Sequence, residues 1–138
     1  MRAFIDTSSL FKKYVEESGW EELDETLNQV SEIAISPLAW VEFNSAVSRR
    51  LREKKLTSEY ASSLLSEAKR DFQSYSRVIW NETLETVAAE MTYRYSLSTL
   101  DAVQLASGLL SKADLFVTSD RRLFEEARKT VRGARFIG

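Results

Sequence analysis

The chain has 138 residues, 43% of them hydrophobic and 29% charged, with a formal net charge of -2. That length suits one domain spanning residues 1–138, and the mild negative charge argues against a non-specific nucleic-acid binder. Without Cys or His there is no disulfide framework, no thiolate site, no usual zinc ligand and no usual general base at neutral pH, so any metal must be a hard cation held by oxygen.

Arg2 to Ile5 is a short apolar-rich run ending at Asp6, after which Thr7 or Ser8 is placed to cap a helix carrying Leu10, Phe11, Tyr14 and Val15. Ser18-Gly19-Trp20-Glu21 has the pattern of a capping box, opening a second helix with Trp20, Leu23, Leu27 and Val30 on one face. Ile33-Ala34-Ile35 reads as a buried strand. Ser36-Pro37 is expected to start a third helix, cap residue first and Pro at the first helical position, running to about Lys55. Thr57 or Ser58 caps a fourth, with Tyr60, Leu64, Ala68 and Phe72 in line, and Arg77 to Trp80 follows as a strand. Asn81 caps a fifth helix with Leu84, Val87, Ala88 and Met91. Ser98-Thr99-Leu100-Asp101 opens a sixth, reaching to Ser111, with Asp101 placed to reach back to the Ser98 amide. Leu115-Phe116-Val117 is a strand ending at Thr118-Ser119-Asp120. Leu123 to Thr130 forms the last helix and Ala134 to Ile137 a closing strand.

Short apolar strands alternating with helices predict an α/β fold, a parallel sheet covered on both faces, since parallel neighbours need long crossovers. In such sheets ligands bind beyond the carboxyl ends of the strands, where the strand order reverses. Asp6 and Asp120 each sit just past a strand's carboxyl end. Asp101, at the start of a helix antiparallel to the strands, is expected at the opposite edge unless the two consecutive helices from Asn81 and Ser98 bring it back. Glu42 lies one turn from both Leu38 and Ala46, so it must be paired, neutral or metal-bound. Each acid also has a structural reading: Asp6, Asp101 and Asp120 as helix caps, Glu42 as a side chain extended to solvent. Arg49, Arg50, Arg52, Lys54 and Lys55 form a basic run, and Arg121 and Arg122 follow Asp120; such runs are more often solvated helix faces than nucleic-acid contacts. Trp20, Trp40, Tyr60, Phe72 and Tyr75 divide between core and a groove or dimer seam. No stretch is long enough to span a bilayer, and the start of the chain lacks an apolar signal-peptide core, so the expected location is the cytoplasm, with no membrane contact.

Asp6 with Ser8 in Phe-Ile-Asp-Thr-Ser, Glu42 in Pro-Leu-Ala-Trp-Val-Glu, Asp101 in Leu-Asp-Ala-Val-Gln-Leu-Ala and Asp120 in Val-Thr-Ser-Asp together resemble the PIN-domain ribonucleases, especially the VapC-type toxins. The resemblance implies a five-stranded parallel sheet of order 3-2-1-4-5. It implies that Asp6, Glu42, Asp101 and Asp120 ring one or two Mg²⁺ or Mn²⁺ ions, with the hydroxyl of Ser8 or Thr118 assisting, and that RNA is cleaved to leave a 5′-phosphate. It further implies a homodimer and a small cognate antitoxin whose segment plugs the site. Two other classes stand beside this one. A PIN fold kept only as a protein-interaction scaffold would not need all four acids. A receiver-like phosphoacceptor domain would pair adjacent acids near the first strand, which Phe4-Ile5-Asp6-Thr7 lacks.

Overall fold

The computed structural model describes residues 1–138 throughout. Strands β1 (Arg2–Ile5), β2 (Glu32–Ile35), β3 (Ser76–Arg77), β4 (Leu115–Thr118) and β5 (Ala134–Phe136) form one sheet. All neighbours are parallel, in the expected order β3-β2-β1-β4-β5. Side chains alternate across a strand, and here the two sets bury against different helices. Ala3, Ile5, Ile35 and Val117 face a core built with α1 (Thr7–Leu10), α2 (Trp20–Leu27), α3 (Ala39–Arg52) and α4 (Ser58–Phe72). Phe4, Ala34 and Phe116 face the second core, built with α5 (Glu82–Tyr95), α6 (Thr99–Leu110) and α7 (Arg121–Thr130). Phe4 and Phe116, paired in register, stack at 5.2 Å and clamp β1 to β4. No helix is long and apolar enough to cross a membrane.

The order reverses between β1 and β4, so the switch point lies where Asp6 and Asp120 leave the sheet. The expected conflict over Asp101 does not arise, because a helix antiparallel to the strands begins at their carboxyl edge. At the far end of α6 the Ser111 carbonyl oxygen accepts from the Arg2 guanidinium at 2.8 Å, and the Asp114 amide donates to the Arg2 carbonyl at 2.9 Å. The end of α6 is thus pinned to the first residue of β1 and its start is left beside Asp120. Ser96, in the left-handed region at φ 53°, ends α5 and lets the chain double back into α6.

Several local expectations are corrected. Asp6, not Thr7 or Ser8, caps α1 by accepting from the Ser9 amide, and the helix tightens into a 3₁₀ turn over Phe11–Lys13 that stops at Tyr14. There is no capping box at Ser18: Gly19 caps α2 at φ 93°, where a side chain would collide with Ile137 and Gly138, and the Ser18 hydroxyl donates to the Gly138 carbonyl instead. Ser36 accepts from the Leu38 amide at 3.0 Å, so Ser36-Pro37-Leu38 forms a turn and α3 starts only at Ala39. Strand β3 is two residues long: one further bond, from the Val78 amide to the Ile35 carbonyl, precedes departure of Ile79 and Trp80 into solvent. The aromatic residues form no common groove. Trp40, Phe72 and Tyr75 pack around Phe43 and one another, with ring centroids 5.1–6.1 Å apart. Trp20 and Tyr60 line a separate cavity of about 230 Å³.

Candidate carboxylate centre at the switch point

Asp6 leaves β1 with its carboxylate turned into the protein, only 4% exposed. Its Oδ1 accepts from the Ser8 hydroxyl at 2.6 Å and the Ser9 amide at 3.1 Å, and its Oδ2 from the Thr118 hydroxyl at 2.5 Å. Burial nevertheless wins: it pushes the Asp6 carboxyl up to about 6 against those three donors, with the charge of Asp120 adding to the rise. The Thr118 oxygen also accepts from the Asp120 amide at 3.0 Å, so one buried hydroxyl joins the acid after β1 to the backbone of the acid after β4. Asp120 caps α7, Oδ1 accepting from the Leu123 amide at 3.1 Å. Ser8 and Thr118 thus act on Asp6 itself.

Glu42, in the first turn of α3, is half-buried. Its Oε1 accepts from the Thr7 hydroxyl at 3.2 Å and from the Gln104 side-chain amide. Its Oε2 has no donor in the protein and is not sealed from solvent. Burial raises the Glu42 carboxyl above the usual range although both donors oppose it, and Asp6 and Asp101 add repulsion. Asp101, also half-buried, is raised by burial and then by Asp120, while the Ser98 hydroxyl and Arg122 oppose the shift. Ser98 caps α6 as expected, accepting from the Asp101 amide at 3.3 Å.

All four acids therefore share one field: Asp6 feels Asp120, Glu42 feels Asp6 and Asp101, and Asp101 feels Asp120. As the side chains stand, no three of them are gathered closely enough to hold a metal ion. Asp6, Glu42 and Asp120 are each held by donors of their own.

Thr7 and Gln104 escaped the reading of the sequence. Gln104 is 4% exposed, and its Oε1 is buried without a partner. One signal was present: Gln104 is the lone large polar residue in Ala-Val-Gln-Leu-Ala, one turn beyond Asp101. The basic residues after Asp120 have structural work, Arg121 lying 3.8 Å over the Phe136 ring and Arg122 donating to the Ser96 carbonyl at 2.5 Å. Beside Glu42 opens a cavity of about 650 Å³ that runs along α3 as far as Arg49.

A parallel sheet of this order, with one buried and three half-buried carboxylates around its switch point, defines an α/β protein with an oxygen-only charged centre. The sequence matches the family model of the PIN domain over residues 3–129. The chain belongs to the PIN domain family, whose members are generally nucleases. No curated protein matches the sequence significantly. Many solved structures are similar to it, among them the following three. FitAcB from Neisseria gonorrhoeae has a TM-score of 0.72 at 12% identity, covering 96% of each chain. VapBC2 from Rickettsia felis, bound to a DNA fragment from its promoter, has a TM-score of 0.70 at 13% identity, covering 99% of this chain and 98% of that one. A toxin-antitoxin complex from Klebsiella pneumoniae has a TM-score of 0.66 at 16% identity, covering 88% and 89%. At these identities the likeness speaks to the fold.

Proposed function

We propose that this chain is a Mg²⁺- or Mn²⁺-dependent ribonuclease and the toxin of a toxin-antitoxin pair. The carrying observation is the placement of four acids around the switch point: Asp6 after β1, Asp120 after β4, and Glu42 and Asp101 in the first turns of α3 and α6. Such a donor set, carboxylate oxygens with neither nitrogen nor sulfur, fits a hard divalent cation. These four residues would hold it, and once bound it would supply charge neutralisation at phosphorus and activation of the attacking water. The chain's other residues prepare those acids. Ser8, Ser9 and Thr118 fix both oxygens of Asp6, and Thr7 with Gln104 fixes one oxygen of Glu42 while leaving the other open. Hydrolysis adds water across the phosphodiester, and the resemblance drawn from the acid motifs points to a 5′-phosphate product.

The toxin part rests on that resemblance and on the Klebsiella relative being a toxin-antitoxin complex. A small antitoxin, a homodimer and action in the cytoplasm belong to the same reading. The test is purified protein with unstructured RNA in Mg²⁺, Mn²⁺ or EDTA. Cleavage with the cations alone, lost in Asp6→Asn, is the expected result; no cleavage under any condition leaves the fold as an interaction scaffold. Expression of the chain by itself is expected to arrest growth with loss of RNA. Harmless expression of a protein that cleaves RNA in vitro would make it a housekeeping nuclease.

A further inference from the structure

The cavity beside Glu42 has a directional chemistry. Glu42, Ser45, Ala46 and Arg49 recur at helical spacing along α3 and all line it. Its cations differ in how far they are committed. Arg50 is held by Glu17 at 2.8 Å and lies 4.0 Å over the Phe11 ring, and Lys12 donates to the Ser18 carbonyl at 2.6 Å. Arg49 is exposed, and its side chain enters no hydrogen bond or ion pair. Val41 of α3 and Leu100 of α6 also line the cavity and stand 69% and 51% exposed.

We infer that this groove is the bed of the substrate strand, with Arg49 holding a phosphate next to the one being cut and Val41 and Leu100 receiving unpaired bases. The inference rests on the nuclease reading above and adds the face of the molecule and the form of RNA it takes. Seven residues separate Glu42 from Arg49, roughly 10 Å along a helix, so a phosphate on Arg49 is not the one at the acids. Guanidinium is suited to phosphate recognition, and an unpaired Arg carries no cost of leaving a prior partner. Apolar side chains reach base faces only where the bases are not stacked within a duplex, so the groove selects single strands.

The test measures binding of a labelled, unstructured oligoribonucleotide to the Asp6→Asn protein by fluorescence anisotropy, across a salt series. Arg49→Ala and Arg49→Glu are added to that background, with Arg52→Ala, likewise exposed on α3 but bonded to Ser48, as control. Arg49→Ala is expected to weaken binding about tenfold and to lower the salt slope by roughly 0.7, the value for one phosphate contact on a single strand. Arg49→Glu should weaken it further, Arg52→Ala should leave it unchanged, and the same sequence as a duplex should bind less well. Equal binding by the Arg49 and Arg52 variants overturns the groove while leaving the nuclease reading intact. Equal displacement of the RNA by a Glu-rich peptide would assign the groove to a protein partner. No RNA binding by any variant, with no cleavage by wild type, removes both readings together.

Discussion

The Gln104 side chain, on α6, donates to the same Glu42 oxygen on α3 that the Thr7 hydroxyl holds. Helices from opposite faces of the sheet thus meet through one carboxylate, beyond the carboxyl ends of the strands. Gln104→Leu removes the donor and, with it, the buried Oε1 that has no partner. A hydrogen bond to a charged group contributes about 1.5–3 kcal/mol, and an orphaned buried acceptor costs about 1–3 kcal/mol, so the two effects nearly cancel in stability. Function should not be so forgiving. Mn²⁺ affinity and RNA cleavage are both expected to fall at least about tenfold, the usual effect of losing the residue that orients a ligand. Calorimetric Mn²⁺ titration and a melting curve check this. An unchanged affinity would mean that Glu42 is oriented without Gln104.

Asp6→Asn should end cleavage while stabilising the cation-free protein. The sign follows from the folded value, about 6, lying above the ordinary 3.8. The folded chain holds the proton more tightly, so ionising Asp6 costs stability, with no cost below about 4 and the full cost above about 6. The melting advantage of Asp6→Asn in EDTA is therefore expected to grow between those pH values, toward about 3 kcal/mol. A constant difference across the range would show that the carboxyl titrates normally.

Asp101 sits in the first turn of α6, where a negative charge is favoured, yet its burial and the charge of Asp120 oppose ionisation. The second pair of effects dominates, holding the carboxyl above its usual range, so Asp101→Asn is expected to raise the midpoint in EDTA by about 2 °C, and Mg²⁺ to stabilise wild type more than the variant. A lower midpoint, with equal Mg²⁺ shifts in both proteins, would reduce Asp101 to a cap.

Away from the site, Asp71 ties α4 to the 3₁₀ turn. Its Oδ2 accepts from Lys13 and from Tyr14, each at 2.8 Å, and the Tyr14 and Tyr75 hydroxyls lie 2.9 Å apart. Burial opposes the Asp71 charge, but these donors outweigh it and hold the carboxyl below its usual range. Its stabilising contribution is present above the ordinary carboxylate value and disappears as pH falls through the lowered one. Asp71→Asn should cost about 1 kcal/mol at neutral pH and nothing in strong acid, measured by urea unfolding at both. An equal cost at both would mean that packing, not charge, is lost.

The strand ends were legible because an apolar run followed by an acid is a local pattern, and Asp6 and Asp120 could be placed as soon as the sheet order was fixed. Glu42 was legible as a problem, a charge among apolar neighbours, but its solution was not. Thr7 and Gln104 lie 35 and 62 residues away, and only the completed fold brings them together. The Ser18 pattern misled for the same reason: a capping box competes with whatever docks on it, and here the last residues of the chain occupy that corner. Trp40, Phe72 and Tyr75 could not be divided between core and groove from the sequence, because helical spacing gives a face without saying what covers it.

Gly108 tests how strictly the packing of α6 sets the site. Replacing a helical Gly with Ala normally stabilises by about 1 kcal/mol. At this position, however, the new methyl would collide with two carbons at the edge of the Phe116 ring and lie 3.3 Å from the Phe4 ring. Both rings are fully packed between the sheet and α6, so the helix or the stack must shift, at a cost of about 1–3 kcal/mol. The cost equals or exceeds the propensity gain, and Gly108→Ala is expected to lower the melting midpoint. Because α6 also carries Asp101 and Gln104, the displacement reaches the carboxylates, and a misplacement of about 1 Å is enough to cost on the order of a hundredfold in rate. Cleavage should therefore fall much more than stability does. A Gly108→Ala protein that melts higher and cleaves RNA at the wild-type rate would show that α6 has room to spare against the sheet, and that the acids do not depend on its close approach.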